Sequence, residues 1–395
     1  MPASRLAPVW LIGLSSSPFG FYGGIVFFAL PQLLAARHVP EERIAALTGL
    51  IGLPGALCFL IAPVLDVRFS RRWYATFCCA LASAFLVAGL LSQTDLRLFG
   101  ILMFLGYTSI ALFYSALGGW FASVIPDDRQ STLSSWINVA NIGAAGLMAL
   151  LTMRVIRHFS LPVAAALLAC VMMLPTAIFL FVPAPGPDRR LARESFAGLL
   201  RAIASLFRRS EVILVLLLFA LPSASFTLTN MLSGLGGDFH TPERTVSLID
   251  GVGVTCAGIA ACLLGGPLCA RLPLRRLYLG VGIVGGLFTL SLLLLPRTPA
   301  AFAIAALGEN VLQALAFTVS TALILRTVGH GNALASTEYG ILASATNVPL
   351  FYMQFADGHA YALHGVAGAF TTDAGISIAV CAGLLAWRRM RRHVG

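Results

Sequence analysis

Apolar runs long enough to cross a lipid bilayer recur along the whole chain. A membrane-spanning helix needs about 20 apolar residues. The composition also departs from that of soluble proteins, because only 11% of the 395 residues are charged and 58% are hydrophobic, whereas soluble proteins carry about 25% charged residues. The sequence therefore predicts an all-α polytopic membrane protein with twelve transmembrane helices. Hydropathy places them near residues 8–34, 43–65, 73–92, 98–122, 131–153, 160–182, 212–237, 245–270, 277–295, 300–325, 334–356 and 366–387.

The distribution of basic residues predicts the orientation of these helices. All 26 basic residues are arginines. If the N-terminus is cytoplasmic, 19 arginines fall on the cytoplasmic side, and the outer segments hold only Arg37, Arg43, Arg97, Arg154, Arg157, Arg244 and Arg297. Arg-rich loops stay in the cytoplasm, so both termini are expected there. A nucleic-acid-binding surface would need arginines clustered on one soluble face, so no nucleic acid partner is expected.

A polar stretch at 183–211 divides the twelve spans into two sets of six. It separates an N-terminal bundle, 1–182, from a C-terminal bundle, 212–395. The stretch begins with prolines, and apolar residues then recur at helical spacing with arginines between them. That pattern is typical of an amphipathic helix at a membrane interface. We therefore expect a cytoplasmic linker that contains an amphipathic helix.

The two halves of the chain contain similar segments. APVLDVRFSRRW (62–73) follows the second span, and GPLCARLPLRRLY (266–278) follows the eighth. Arg68 and Arg271 occupy matching places in them, 203 positions apart. Because each half has an even number of spans, both keep the same orientation. This is the pattern of a transporter built from two parallel repeats.

Three stretches resemble the major facilitator superfamily of transporters. GLIGLPGALCFLIAPVLDVRFSRR (49–72) resembles its signature between the second and third helices. LGENVLQALAF (307–317) and ALASTEYGILASATNVP (333–349) are similar to the tenth helix and the start of the eleventh in one branch. That branch holds AmpG-type muropeptide permeases, acetyl-CoA transporters and certain siderophore permeases. The sequence departs from it where Val67 separates Asp66 from the following arginine.

The resemblance implies a major facilitator fold with two six-helix bundles and secondary active transport by alternating access. It implies an integral protein of the bacterial inner membrane that acts as a monomer on a small-molecule substrate, with protons as the coupling ion. It also implies that a charge cluster of Asp66, Arg68 and Arg72 pins helix ends together and parts during the transport cycle.

Glu309 is the deepest acidic residue in the predicted spans. Ionisable residues inside a membrane usually face the bundle interior or a water-filled cavity. Asn310 follows it, and Gln313 lies one turn later on what should be the same helix face. A carboxyl group that gains and loses a proton as water access alternates is what proton coupling requires, so Glu309 is the candidate coupling residue. The alternative is a hydrogen-bonded glutamate that ties the tenth span to a neighbour.

Polar and aromatic side chains in other spans predict a solute cavity. In the superfamily, spans 1, 4, 7 and 10 line the central path. Each candidate could instead tie two helices together. No arginine lies deep in a predicted span, which argues against phosphorylated cargo and favours a neutral, zwitterionic or amphiphilic solute. Besides Asn310 and Gln313, the candidates are Tyr22, Tyr107, Tyr114, Asn138, Asn141, Thr227, Asn230 and Asn347.

No cofactor, metal or catalytic site is expected. The eight cysteines lie within predicted spans and form no metal-ligand pattern. An integral membrane transferase that acts on diphosphates would need two acidic clusters, and only Asp127–Asp128 qualifies. The leading prediction is therefore not an enzyme but a proton-coupled importer of a muropeptide, siderophore or similar solute. The alternatives are a proton-driven drug or metabolite exporter, such a transferase, and a transporter-like sensor without flux.

Overall fold

The computed structural model describes residues 7–184, 201, 203–224 and 227–393. In this part of the chain every regular element is helical. Helices α1 to α6 are Val9–Ala35, Glu42–Leu60, Arg71–Leu91, Leu96–Val124, Asp127–His158 and Leu161–Phe181. Helix α7 has two pieces, Ser210–Ala220 and Leu228–Met231, the second of which continues as the 3₁₀ helix Leu232–Phe239. Helices α8, α9 and α10 are Glu243–Arg271, Leu274–Leu292 and Pro299–Val328.

The last helical segment, Ala335–His393, has a kink at Gly365. Its two arms, 335–364 and 366–393, are α11 and α12. Most of the predicted linker lies outside the described residues, so its amphipathic helix stays a prediction.

These helices account for all twelve predicted spans. Within the described chain, nine helical segments are long and apolar enough to cross a membrane. The remaining predicted spans are not separate long apolar segments, for local reasons. Helix α7 is interrupted between Ala220 and Leu228, and the first turn of α9 contains Arg275 and Arg276. Helices α11 and α12 run together through the kink. The side of the membrane on which the termini lie stays a prediction.

The described chain divides into two compact units. One comprises Met1–Val212 with Leu325–Ser344, and the other comprises Ile213–Ile324 with Ala345–Gly395. The segment 325–344 follows the predicted linker in sequence but packs within the first unit. The division into bundles 1–182 and 212–395 stays a prediction.

In the first unit, glycines of α1 allow its backbone to approach α5. A Cβ atom on Gly13 would meet Trp136, on Gly20 it would meet the Asn141 backbone, and on Gly24 it would meet Ala145. Small residues at such contacts are how membrane helices gain close packing. These contacts make α1 and α5 a tightly packed pair inside the unit.

In the second unit, α9 and α12 meet through a similar stripe. A Cβ atom on Gly282 would meet the Ser223 carbonyl and the Cys381 sulfur, and one on Gly286 would meet Ile378. An apolar cluster lies beside this contact and includes Phe239, Leu292, Phe302, Ala305, Ala306, Val366 and Phe370. Helices α7, α9, α10 and α12 therefore share one core.

Gly365 makes the kink between α11 and α12 possible. Its φ of 62° and ψ of −152° are nearly exclusive to glycine. We expect Gly365→Ala to destabilise the protein by about 1–3 kcal/mol. No heavy atom lies within 4 Å of the added Cβ, so this loss would come from the backbone alone. Denaturant unfolding in detergent micelles measures it.

The matched control is Gly375→Ala in α12, where an added Cβ also meets nothing within 4 Å and φ is not positive. This variant should be neutral or slightly more stable, because alanine favours a helix over glycine. Equal stability of the two variants would contradict the assigned role of Gly365.

Candidate functional site: a buried acid and polar helix contacts

The Glu309 carboxyl group is buried among three helices of the second unit. Its residue is 1% exposed, and the Thr289 hydroxyl on α9 lies 2.5 Å from its Oε1. The same hydroxyl lies 3.0 Å from the Gly285 carbonyl oxygen. A hydroxyl has one hydrogen to donate. Thr289 can therefore donate to an ionised Glu309, or accept from a protonated Glu309 while it donates to Gly285.

The packing of α9 on α12 brings a second acid close to Glu309. Gly286 packs against Ile378 and the Ala374 carbonyl of α12, and Thr289 follows three residues after Gly286. Asp373, the neighbour of Ala374, interacts electrostatically with Glu309. Within the described residues, no arginine or histidine forms an ion pair with Glu309. No arginine or histidine among the described residues therefore neutralises the Glu309 carboxylate, whereas a bound proton would.

The side chains of Asn310 and Gln313 do not share the partner of Glu309. The Gln313 amide donates to Thr229 on α7 at 2.8 Å, and the Asn310 amide donates to the Ala306 carbonyl of its own helix at 2.9 Å. Four residues turn a helix by about 40° beyond a full turn, which is enough to point Gln313 at another neighbour. The two residues are neighbours on α10, but Glu309 bonds to α9 and Gln313 bonds to α7.

The three predicted tyrosines of the first unit belong to one aromatic cluster. Tyr107 lies 6.1 Å from Tyr22 and 6.4 Å from Phe19 between ring centroids. Tyr114 stacks on Phe19 at 4.5 Å and meets Tyr339 edge-on at 5.6 Å. Tyr22 is fully buried, and its hydroxyl donates to the Met103 carbonyl at 3.2 Å. The cluster spans α1, α4 and α11.

The remaining predicted cavity residues are dispersed. Asn138 donates to the Ser134 carbonyl at 2.9 Å within α5. The Oδ1 atom of Asn141 and the Oγ1 atom of Thr227 are buried and lack a hydrogen-bond partner among the described residues. Asn230 is exposed and Asn347 is half-buried.

Asp66 forms a buried cap on α11. Its Oδ1 accepts from the Ser336 N–H at 3.1 Å, and its Oδ2 accepts from the Thr337 N–H and hydroxyl, each at 2.8 Å. An acid at a helix N-terminus satisfies free N–H groups and complements the helix dipole. The Arg71 Nε lies 2.9 Å from Oδ1 and supplies the opposite charge.

Arg71, rather than Arg68 or Arg72, is the partner of Asp66. Its other nitrogens donate to the Ser123 hydroxyl at 3.1 Å and to the carbonyls of Asn332 and Ala333 at 3.0 Å. Arg68 instead has a positive φ of 70°, and its guanidinium lies over the Phe69 ring. The prediction that Arg68 and Arg72 pair with Asp66 was wrong. Arg68 has a left-handed backbone conformation just after Val67, and Arg71 is the residue that reaches the carboxylate.

A second buried acid reinforces the same region of the first unit. The Glu338 carboxylate accepts from Arg209 at 2.6 Å and from the Asn332 amide at 2.7 Å. Arg209 also donates to the Thr327 carbonyl at 3.1 Å. The segment 325–344 is therefore held by two acid–arginine pairs.

Removal of the Asp66 carboxylate should destabilise the first unit strongly. Loss of one member of a buried ion pair costs about 3–5 kcal/mol, and Asp66→Ala also leaves two backbone N–H groups without an acceptor. Asp95→Ala is the matched control, because Asp95 caps α4 through two N–H groups but is exposed. That loss should be about 0.5–2 kcal/mol. Thermal unfolding in detergent compares the two, and equal losses would contradict the role of Asp66.

Solved structures that share this fold are membrane transporters. The proton:xylose symporter XylE, bound to 6-bromo-6-deoxy-D-glucose, has a TM-score of 0.64 and 15% identity, covering 96% of this chain and 94% of that one. FucP in the outward conformation has a TM-score of 0.69 and 14% identity, covering 96% and 99%. The human organic anion transporter MFSD10 has a TM-score of 0.68 and 19% identity, covering 96% and 99%.

The chain therefore has the major facilitator fold, and its long apolar helices make it an integral membrane protein. No protein-family profile and no curated protein matches the sequence. The expectation that the chain is not an enzyme agrees with the transporters that share its fold. The narrower resemblance to AmpG-type permeases stays a prediction.

Three important residues were missed by the sequence analysis. Thr289 and Arg71 have side chains common in any helix, and only the packing shows their partners. Asp357 is fully buried, but hydropathy ended the eleventh span one residue before it. Asp357 lies eight residues before Gly365 and Asp373 lies eight residues after it. This symmetric spacing about a glycine was the sequence signal that could have identified Asp357.

Proposed function

We propose that this protein is a proton-coupled secondary transporter that imports a medium-sized solute by alternating access. The cargo class that we favour is a muropeptide, a siderophore or a similar neutral, zwitterionic or amphiphilic molecule. The observation that carries the proposal is a buried carboxyl group, Glu309, whose partner Thr289 can satisfy it in both protonation states. The fold shared with a proton:xylose symporter supports the same conclusion.

In this proposal Glu309 acts inside the second unit rather than in contact with the cargo. Its carboxyl group bonds to α9 and lies near Asp373 of α12. A proton that arrives removes a negative charge from this packed contact, and a proton that leaves restores it. The coupling then works by a change in how α9, α10 and α12 pack.

In the first unit, the proposed cargo contacts are the aromatic cluster and the polar candidates of α5. In the second unit, they are the polar candidates of α7, α10 and α11. Tyr114, which is half-buried, would stack on a ring or apolar face with the buried Tyr22 and Tyr107 packed behind it, and amide side chains such as Gln313 would orient polar groups. Asp66 and Arg71 would form the contact that parts during the cycle. A buried acid bonded to the first turn of α11 supports this role.

Replacement of Glu309 tests the coupling. Glu309→Gln keeps the shape and a hydrogen bond but cannot cycle a proton. In proteoliposomes, we expect it to lose accumulation driven by a pH gradient and to retain exchange of labelled solute without a gradient. The solute is whichever muropeptide, siderophore or thioester stabilises the purified protein in a thermal-shift screen.

The matched control is Glu243→Gln, an exposed glutamate at the start of α8, which should accumulate solute normally. Normal accumulation by Glu309→Gln would remove Glu309 from the mechanism. If the unsubstituted protein accumulates solute only under the opposite pH gradient, it is an exporter. If it carries no flux at all, the result favours a sensor.

Thr289 provides an independent test of the same site. Thr289→Val keeps the side-chain shape but removes the hydroxyl, so Glu309 loses a hydrogen bond worth about 1–3 kcal/mol in a buried place. Thr289→Ser retains the hydroxyl and should recover most of that loss. Thermal unfolding of the three proteins compares them, and a valine variant as stable as the serine variant would show that this bond contributes nothing.

A further inference from the structure

The corner between α11 and α12 places two acids opposite each other. Asp357 lies eight residues before Gly365 and Asp373 eight residues after it. Close to the corner the two arms touch, because a Cβ on Gly368 would meet the Ala360 carbonyl. Asp357 and Asp373 lie on opposite arms of this hairpin, and their carboxyl groups interact with each other.

Both acids are withdrawn from solvent. Asp357 is fully buried and Asp373 is 5% exposed. The two carboxyl groups lie within hydrogen-bonding reach of each other. No donor among the described residues reaches either oxygen of Asp357, and no arginine or histidine among them forms an ion pair with it.

A hydrogen bond between the two acids requires a proton on one of them. An ionised carboxylate can only accept, so two of them repel, whereas a protonated carboxyl group can donate to its neighbour. A buried acceptor without a donor is costly, and two carboxylates that share a site do not both ionise readily. A proton on one of the two acids therefore converts their repulsive contact into a hydrogen bond.

We propose that Asp357 and Asp373 share one proton and form a second protonation site, linked electrostatically to Glu309. The link to transport rests on the proposed function, but the shared proton does not. Asp373 is the connecting residue, because it meets Asp357 across the hairpin and interacts with Glu309 on α10. A proton that leaves Glu309 adds a negative charge beside Asp373 and so favours retention of the proton on the pair.

Several titratable groups lie on the elements around the pair in the described part of the chain. Glu309 faces it from α10. His359 and His364, on the hairpin itself, are exposed. Asp238 is also exposed and accepts a 2.9 Å hydrogen bond from Tyr361 of α11. Ala306 and Phe370 of the apolar cluster lie about one turn from Glu309 and Asp373, and a low-dielectric neighbour strengthens the coupling between charges.

Infrared spectroscopy of the full-length protein in lipid nanodiscs tests the shared proton. The carbonyl stretching band of protonated carboxyl groups is recorded near neutral pH. We expect a component of this band to disappear in both Asp357→Asn and Asp373→Asn, because either amide can donate to the remaining carboxylate and displace the proton. The same component should persist in Glu309→Gln and in the control Asp238→Asn.

Two results would overturn the proposal. One is a component that survives either asparagine substitution, which would show that the proton is not shared. The other is a component lost in Glu309→Gln alone, which would assign the signal to Glu309. If a single substitution prevents folding, the double variant Asp357→Asn with Asp373→Asn, which can form an amide pair, must lack the component, and its retention would be equally fatal.

The two proposals fail in different measurements. Normal gradient-driven accumulation by Glu309→Gln would overturn the coupling role and leave the shared proton standing. A surviving infrared component would overturn the shared proton and leave Glu309 as the coupling residue.

Discussion

A polar group inside a bilayer has no water to bond with, and this constraint shapes the whole molecule. The backbone meets it by forming helices, whose N–H and C=O groups bond within each segment. Buried acids meet it in three different ways. Asp66 uses N–H groups and an arginine, Glu309 uses a hydroxyl, and Asp357 faces another carboxyl group. The first arrangement includes an arginine, whereas among the described residues Glu309 and Asp357 have no ion-pair partner.

The helix contacts that position these acids depend on small residues. Gly282 and Gly286 let α9 approach α12, and Gly308 of α10 packs against Phe288 of α9, next to Thr289 and Glu309. Gly365 and Gly368 close the hairpin that sets Asp357 against Asp373. Glycines that look like neutral filler in the sequence therefore determine where the titratable groups of the second unit meet.

Hydropathy was sufficient to predict the helical fold, because bilayer thickness dictates the length of each apolar run. Glu309 was also found from sequence, because a lone carboxylate in an apolar run is conspicuous. Its partner was not, because a threonine in a helix carries no signal of what it touches. The arginine that pairs with Asp66 was misassigned, since the choice among Arg68, Arg71 and Arg72 depends on the positive φ at Arg68. Asp357 was overlooked because the eleventh helix continues past the point where its apolar run ends.

The cap on α11 has a consequence for biogenesis. The donors to Asp66 lie 270 and 271 residues later in the chain. During synthesis the ribosome releases α2 long before those donors exist, so the nascent first unit carries an acid whose cap is still missing. Maturation of that unit is therefore delayed until nearly the whole polypeptide has entered the membrane, which ties completion of its early helices to the arrival of late ones.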